Sequence, residues 1–403
     1  MNKTIILLLI ALFFYSCTRK GKVGECQIHV DMIDLDHASM VDSLTYSAYF
    51  HSPQIIPLET NSNCIIQKVH RIDIFKNKIY ILDTKSSRLM AFDINGHYLN
   101  DIGRRGHGDG EYLEISDFSI DRENEVVYIW DELIGNAIKY DLISGKYINT
   151  IHHGNDGNQC YDMIFSNNKL YVNHTTKTKS QDNFMIKEID LETGKISNVY
   201  LDANTYNKAW TLPLRNNNTG FFMRSTSIPK FAGMFSDTIM AITENGIIPA
   251  YCIKSEKLAN KNDLGKIIDY YDKSGLYSFD TIEKEEKIFG IFNYLEFGNA
   301  IHFSFNKGGE RFTLLYDKTS KQALKTKSFG DNFILNSGIC YLDLIYCDGS
   351  QAVAILQTDA IPIFIDYAIH SNRLNSQINN YEALKAIAGK KDNNPILFIY
   401  KIK

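Results

Sequence analysis

The chain has 403 residues, of which 44% are hydrophobic and 22% are charged. This composition excludes disorder and is sufficient for one large β domain or for two domains. The formal net charge is −4, and removing residues 1–16, which contain one basic side chain, leaves 42 basic and 47 acidic residues, or −5. A mildly acidic protein lacks the positive surface of a nucleic-acid binder, so we expect no nucleic-acid partner.

The first 17 residues have the pattern of an export signal. Lys3 precedes an uninterrupted apolar run over residues 5–14, which is too short to span a bilayer. A serine directly before Cys17 resembles a bacterial lipobox, so we predict that Cys17 is lipidated and becomes the first residue of the mature chain. Tyr15 is bulkier than the residue usual at its position, and an ordinary signal peptide with an incidental cysteine is the alternative.

The predicted lipid on Cys17 makes the membrane the first expected partner. Thr18 follows the cysteine, and by resemblance to other lipoproteins this predicts the outer membrane as the destination. The periplasmic and the outer surface are both left open. Residues 18–50 are interpreted as a tether and N-terminal extension, because their apolar residues are too scattered for a separate domain.

Six further cysteines are sparse and unclustered, and they permit fifteen disulfide connectivities in an exported chain. We expect them to be free and mostly buried, because a chain of this size has ample core without cross-links. No CxxC motif or Cys/His cluster indicates zinc. These cysteines are Cys26, Cys64, Cys160, Cys252, Cys340 and Cys347.

An internal repeat over residues 51–403 predicts the fold. Asp93, Asp141 and Asp190 each end a strand-like segment and precede a turn that contains glycine, and they are 48 and 49 residues apart. About four short strands per unit at this period are typical of a β-propeller blade. The predicted blades cover residues 67–102, 115–151, 162–201, 236–254, 299–329 and 338–367.

The rest of the predicted domain closes the ring or interrupts it. Residues 396–402 are left as a strand without a blade of its own, and we expect them to pair with residues 54–58. Residues 262–287 are predicted to be a helical insertion, because Leu264, Ile267, Ile268 and Tyr271 have helical spacing. A second short helix is predicted over residues 380–388.

Two phrases carry a resemblance to a known family. Residues 103–112 read GRRGHGDGEY and are followed by DFSI and Asp121, and the tail over residues 392–397 reads DNNPIL. Both resemble the six-bladed β-propeller lipoproteins of gut anaerobic bacteria, whose blades are similar to NHL and TolB-like repeats. The likeness covers residues 50–403. It implies an all-β, six-bladed fold and a place in the cell envelope, and it implies little about chemistry.

The glycine-rich connection over residues 103–112 is the candidate ligand-binding segment. It is predicted to lie at the mouth of the propeller channel, where glycine lets backbone amides approach an anionic or sugar ligand. The alternative is that a long connection needs glycine for its dihedral angles and pairs its own charges. The candidate residues are Arg104, Arg105, His107, Asp109 and Glu111.

Several histidines and one tryptophan are further candidates for a functional site, and each has a simpler structural interpretation. His152 and His153, with Asp156 and His174, suggest a metal site, but no spacing brings them to one point, and an exposed loop is the simpler interpretation. We therefore predict no metal ligands. Trp130 is placed where it could stack on a sugar ring, and a core aromatic is the alternative.

Two functional hypotheses follow. The first is a non-catalytic binding or scaffold module for a protein, peptide or glycan. The second is a metal-dependent propeller hydrolase, lactonase or lyase that acts on a sugar-like substrate. No HExxH, GxSxG or P-loop motif and no sialidase box is present, which favours the first hypothesis. No cofactor is expected, although the channel of a propeller enzyme can hold a calcium ion whose ligands come singly from different blades.

Overall fold

The computed structural model describes residues 30–154, 160–174, 184–202, 222–223, 228–233, 235–274, 278–390 and 392–403. Their strands form six sheets of four or five strands, and each sheet uses a separate part of the repeat. The chain is therefore a six-bladed β-propeller with few helices, as the repeat predicts. The N-terminal part contains β1 (Asp31–Asp34), β2 (Ser39–Met40), β3 (Leu44–Thr45), a 3₁₀ turn (Tyr46–Ala48) and β4 (Gln54–Pro57).

The first three blades follow the predicted pattern of four antiparallel strands. Blade one contains β5 (Arg71–Phe75), β6 (Lys78–Asp83), β7 (Arg88–Asp93) and β8 (Tyr98–Asp101). Blade two contains β9 (Ile115–Asp121), β10 (Val126–Asp131), β11 (Asn136–Asp141) and β12 (Tyr147–Ile151). Blade three contains β13 (Cys160–Ser166), β14 (Lys169–His174), β15 (Phe184–Ile189) and β16 (Ile196–Asp202).

The other three blades are less regular. Blade four contains β17 (Phe222–Met223), β18 (Lys230–Phe231), β19 (Thr238–Thr243) and β20 (Gly246–Lys254). Blade five contains β21 (Ile288–Phe297), β22 (Ala300–Lys307), β23 (Glu310–Asp317) and β24 (Ala323–Thr326). A short strand, β25 (Phe329–Gly330), pairs with β3. Blade six contains β26 (Asp343–Cys347), β27 (Gln351–Leu356), β28 (Ile396–Lys401) and β4.

The repeated aspartates form the turns that the sequence predicts. One carboxylate oxygen of Asp141 accepts the backbone N–H of Ser144 at 2.7 Å, and Asp190 accepts that of Thr193 at 2.8 Å. The glycine four residues after each aspartate has a φ of +68°. Asp317 in blade five makes the same turn, but a lysine takes the left-handed position with a φ of +61°. Side-chain chemistry thus preserves the turn where glycine is lost.

The ring closes between the two ends of the described chain. β28 pairs antiparallel with β4, with Ile396 opposite Pro57, which confirms the predicted pairing of residues 396–402 with residues 54–58. The prediction that this segment has no blade of its own is wrong, because β28 also pairs with β27 and is the third strand of blade six. Blade six thus combines strands from both ends of the described chain, and the ring has no open edge at this point.

Residues 361–367, the last segment of the sixth blade predicted over residues 338–367, are helical and not a strand. They form α3 (Ile361–Phe364) and the start of a π-helix (Ile365–His370). Ile361, Phe364 and Ala368 are buried at helical spacing, and Pro362 lies in the first turn, where it leaves no N–H unpaired. The β-branched residues misled the prediction, because a short apolar run fits a strand and a helix equally well.

The two predicted helical segments are confirmed. α1 (Lys261–Ser274) and α2 (Asp280–Lys284) match residues 262–287, and α1 begins one residue earlier than predicted. α4 (Tyr381–Ala386) and a 3₁₀ turn (Ile387–Gly389) match residues 380–388. The inner strand of blade five, β21, was not predicted. No helix of the described chain is long and apolar enough to cross a bilayer.

The N-terminal extension contributes strands to the propeller. β1 pairs parallel with β20, and β2 pairs parallel with β24, so each adds an outermost strand to blade four or blade five. This pairing covers two sheet edges that would otherwise offer unpaired backbone groups. Cys17 and Cys26 lie outside the described residues, and the other five cysteines form no disulfide with one another.

The hydrophobic core lies between neighbouring blades. One cluster joins Leu89 of blade one to Phe118 and Ile138 of blade two. Another surrounds the rings of Tyr46 and Tyr400, whose centroids are 5.3 Å apart with nearly perpendicular planes. Because each blade packs on two neighbours, a polar face between blades is a departure from the pattern.

Candidate ligand-binding site

Alternating strand directions sort the connections onto two faces. The links between the second and third strands of a blade, and those from one blade to the next, emerge together on what we call the loop-rich face. It carries the link between blades one and two (residues 102–114), which contains the glycine-rich connection, the insertion with α1 and α2 (255–287), and the helical segment of blade six (357–395). The opposite face carries mostly tight turns. The loop-rich face is therefore where we expect a ligand-binding site, because binding residues are commonly found on loops.

The glycine-rich connection largely satisfies its own polar groups. The Nε atom of Arg104 lies 2.5 Å from a carboxylate oxygen of Glu111, and the backbone N–H of Gly108 donates to the other oxygen at 2.8 Å. The Gly108 amide and the Arg104 guanidinium lower the pKa of Glu111. Tyr112 exchanges backbone hydrogen bonds with Gly106 and Arg104 at 2.9 and 3.1 Å. The charges are thus paired locally.

Glycine is required here for packing. Gly103 has a φ of +68°, and a Cβ atom at this position would lie 2.5 Å from the hydroxyl of Tyr140. That hydroxyl donates to the carbonyl of Gly110 at 2.8 Å. The connection is therefore tied to blade two through one tyrosine.

The remaining candidate residues of this connection point outward. Arg105, His107 and Asp109 are exposed, and no hydrogen bond of their side chains occurs among the described residues. The structure brings Arg104 and Glu111 together and leaves these three separate. Their role in ligand binding stays a prediction.

The other sequence candidates are placed differently. The Nδ1 atom of His153 donates to the carbonyl oxygen of Gly194 at 2.9 Å. Asp156 lies outside the described residues, as does the side chain of His174. No group of three or more potential metal ligands occurs in the part of the chain that the structure describes. Trp130 is buried against Val172 and Ile189, so its interpretation as a core aromatic is confirmed.

A buried ion cluster joins the inner strands of the first three blades. Arg71 begins β5, and its Nε atom lies 2.6 Å from Asp117 on β9. Its terminal nitrogen lies 3.0 Å from Asp162 on β13. The Asp117 carboxylate also accepts the backbone N–H of Phe118 at 2.8 Å and of Met163 at 2.7 Å. Both carboxylates pair with the single Arg71 guanidinium, so the cluster joins the three blades.

A polar cavity of about 250 Å³ lies between blades five and six, and we call it the interblade pocket. Its walls come from three strands of blade five, from the connection over residues 327–342 and from the start of β26. Its floor and walls combine neutral polar groups with charged groups and aromatic rings. The lining residues are Tyr46, Asn293, His302, Ser304, Arg311, Thr313, Lys327, Phe329, Tyr341, Leu342, Asp343 and Leu344.

Strand alternation creates the polar wall of this pocket. Ile301, Phe303 and Phe305 point to one side of β22 and belong to the core shared with blade four. His302 and Ser304 point to the other side, towards blade six. Thr313 on β23 pairs with Ser304 across the sheet, so the two hydroxyl groups share this face.

His302 is held neutral at the base of the pocket. Its side chain is buried, with 4% of its surface exposed, and Nδ1 lies 2.8 Å from the carbonyl oxygen of Asn293. Desolvation lowers its pKa to about 4, and Arg311 adds to this effect. A neutral ring must donate from Nδ1 to the carbonyl, so Nε2 is an acceptor. No hydrogen-bond partner for Nε2 occurs among the described residues.

The mouth of the pocket is charged and aromatic. The Arg311 guanidinium lies over the ring of Phe292, at 4.7 Å from its centroid, and 3.6 Å from a carboxylate oxygen of Asp343. This separation is longer than the 2.7–2.9 Å of a charge-assisted hydrogen bond. Tyr341 has 67% of its surface exposed at the rim, and Phe329 packs on the ring of His302 at 5.3 Å.

Comparison with known proteins places the chain in a family. The family model described as "Domain of unknown function (DUF4934)" matches residues 30–401, nearly the whole described chain. The chain belongs to the DUF4934 family. No curated protein matches it.

Solved structures also match the DUF4934 chain, and the first of those described here has the same fold. The BF0058 protein of Bacteroides fragilis is 17% identical, with a TM-score of 0.67 over 92% of this chain and 99% of that protein. A DUF4221 family member from Bacteroides vulgatus is 12% identical, with a TM-score of 0.48 over 88% and 97%. Virginiamycin B lyase from Staphylococcus aureus is 13% identical, with a TM-score of 0.41 over 75% and 81%.

Sequence reasoning missed the interblade pocket of this DUF4934 chain. A usable signal was the alternation over residues 301–306, which reads IHFSFN. In a sheet with one wet face such alternation is ordinary, but a propeller blade has a neighbour on each side. A polar face within blade five therefore indicates either a buried polar network or a ligand site.

Proposed function

We propose that this protein is an envelope-attached propeller that binds a small polar ligand, or the polar end of a larger protein, peptide or glycan, without transforming it. In this proposal the lipid on Cys17 holds the protein at the outer membrane, and the interblade pocket receives the ligand from the loop-rich face. The BF0058 protein, which is similar in fold, is described as a "putative exported protein". The signal pattern over residues 1–17 supports export of this chain as well.

The state of His302 is the observation that carries the binding hypothesis. A general acid or base works best when its pKa is near the working pH. His302 has a pKa of about 4 and a fixed tautomer, so it presents a steady acceptor at neutral pH. The hydroxyls of Ser304 and Thr313 beside it are ordinary hydrogen-bonding groups. This arrangement suits recognition better than proton transfer.

A thermal-shift screen followed by analysis of the ligand tests binding without turnover. The panel contains sugars, amino acids, short peptides and divalent metals. A ligand present at a hundred times its dissociation constant stabilises the folded state by about 2.7 kcal/mol. We expect a shift with a small polar compound, and NMR should recover that compound unchanged after prolonged incubation. Chemical conversion of the compound, or a shift only with a metal ion, would favour the enzyme hypothesis instead.

Membrane attachment is tested separately in cells. Cys17→Ala removes the lipid acceptor, so the variant should move from the membrane fraction to the soluble fraction, while Cys26→Ala should remain with the membrane as the matched control. Protease treatment of intact cells then reports which side the propeller occupies. A Cys17→Ala variant that stays in the membrane fraction would contradict lipid anchoring.

A further inference from the structure

We infer that the interblade pocket binds a single saccharide ring, either a free monosaccharide or the terminal residue of a glycan. The inference rests on the proposed binding function and names the chemical class of its ligand. It is carried by the size of the cavity, by the mixture of donors and acceptors on its walls, and by the aromatic groups at its edge.

The size of the cavity limits the ligand. The pocket encloses about 250 Å³, which is just below the range of about 300–1,000 Å³ that is typical of sites for drug-sized molecules. A ligand of one ring fits this volume. A folded peptide or a dinucleotide does not, so a larger partner would insert only an end group.

The walls offer donors and acceptors in alternation. His302 presents an acceptor at Nε2, and Thr313 presents a hydroxyl that both donates and accepts. The Ser304 hydroxyl accepts from the Arg311 guanidinium at 3.5 Å and keeps its own O–H for a ligand. Arg311 supplies only donors, and Asp343 supplies acceptors. A sugar carries several hydroxyls around one ring, and each hydroxyl needs both kinds of partner when it is buried. Most small-molecule sites are mainly apolar, so this lining selects a hydroxyl-rich ligand.

Arg311 and Asp343 can share one hydroxyl of the ligand. Their closest nitrogen and oxygen are 3.6 Å apart, and both side chains are partly exposed at the mouth. A hydroxyl oxygen beside this pair, at about 2.8 Å from each atom, accepts a hydrogen bond from the guanidinium and donates one to the carboxylate.

Aromatic groups complete the site. Tyr341 stands exposed at the rim, with its hydroxyl fixed at 3.0 Å from that of Ser328, and Phe329 forms part of the wall. The faces of a sugar ring are lined by C–H groups, whereas its hydroxyls lie around the edge. An exposed aromatic ring beside a polar cleft therefore matches the two kinds of surface that a sugar presents.

Calorimetric titration of the full chain tests the inference. The probes are D-glucose, D-galactose, D-mannose, N-acetyl-D-glucosamine and D-glucuronate, with glycine and L-alanine as counter-probes. At least one sugar should bind, and Ser304→Ala and Arg311→Gln should each weaken that binding by about tenfold or more. Lys85→Gln, which removes an exposed cation of blade one on the same face, should leave binding unchanged. Circular dichroism and the melting temperature confirm that each variant is folded.

The outcomes separate the ligand class from the proposed function. Binding of amino acids but of no sugar, with loss in Arg311→Gln, would overturn the saccharide assignment and keep the binding function. Failure of every sugar to bind at millimolar concentration would also overturn the assignment. Sugar binding that neither Ser304→Ala nor Arg311→Gln weakens would show that the sugar binds outside the interblade pocket. Recovery of a chemically altered sugar would overturn the proposal that the protein binds its ligand without converting it.

Discussion

Loss of Arg71 should destabilise the propeller strongly, because this side chain is the ion-pair partner of two buried carboxylates. Asp117 is fully buried, Asp162 is nearly so, and only 11% of the Arg71 side chain is exposed. Removing one partner of a buried ion pair costs about 3–5 kcal/mol, since an uncompensated charge remains. Two backbone N–H groups still hold Asp117 after the change. We therefore expect Arg71→Met to lower the free energy of unfolding by about 3 kcal/mol.

Urea denaturation followed by both fluorescence and circular dichroism measures this change, and coincident transitions justify a two-state treatment. Arg104→Met is the matched control, because 81% of that side chain is exposed and its pair with Glu111 lies at the surface. The control should change stability by no more than about 0.5 kcal/mol. A double variant, Arg71→Met with Asp162→Asn, should recover part of the loss. If Arg71→Met and Arg104→Met unfold at the same urea concentration, the cluster does not join the blades as argued.

Two further predictions concern backbone packing and pH. Gly103→Ala should destabilise the folded state by about 1–2 kcal/mol or more, since the left-handed backbone adds to the clash with Tyr140. The control, Gly265→Ala, lies in open space on α1 and should be neutral or stabilising. Equal effects of the two changes on the melting temperature would refute the role of Gly103 in packing. His302 has a folded pKa of about 4, below its ordinary 6.5. The unfolded chain therefore binds the extra proton first, so this contribution to stability is complete above pH 6.5 and declines as pH falls towards 4. The stability gap between the wild type and His302→Gln should shrink by about 3 kcal/mol from pH 7 to pH 4, and a gap independent of pH would contradict a buried neutral ring.

The first three blades could be predicted because their turns are determined by residues that are close together in the sequence. Asp141 and Asp190 each fix a turn through their own carboxylates, and glycine follows four residues later. Such signals need no knowledge of distant residues. Period and turn chemistry therefore located the first three blades, and the ring closure followed from the apolar strand that remained.

The less regular elements depend on contacts between residues that are far apart in the sequence. The run at residues 361–367 has the composition of a strand, but its burial follows a helical period. β1 and β2 are too short for a periodic signal, and their pairing is set by the outer edges of blades four and five. The glycine-rich connection was selected as the candidate ligand site for a similar reason, because its glycines lie together in one short segment of the sequence.

The interblade pocket could not be predicted in the same way. Tyr46, Asn293, His302 and Asp343 are far apart along the chain and meet only after blade five packs on blade six. The sequence places the polar residues of β22 on one face, but it does not say that this face is enclosed. Knowledge of the ring was needed first.

Hydrogen–deuterium exchange of the full chain, with and without the sugar that binds best, locates the ligand on the propeller. We expect slower exchange in β22, in β23 and over residues 327–344 when the sugar is bound, with no change over residues 103–112. Opening events in the pocket walls should become rarer because the ligand binds only the closed state. Protection confined to residues 103–112, or no protection at saturating sugar, would contradict a ligand site between blades five and six.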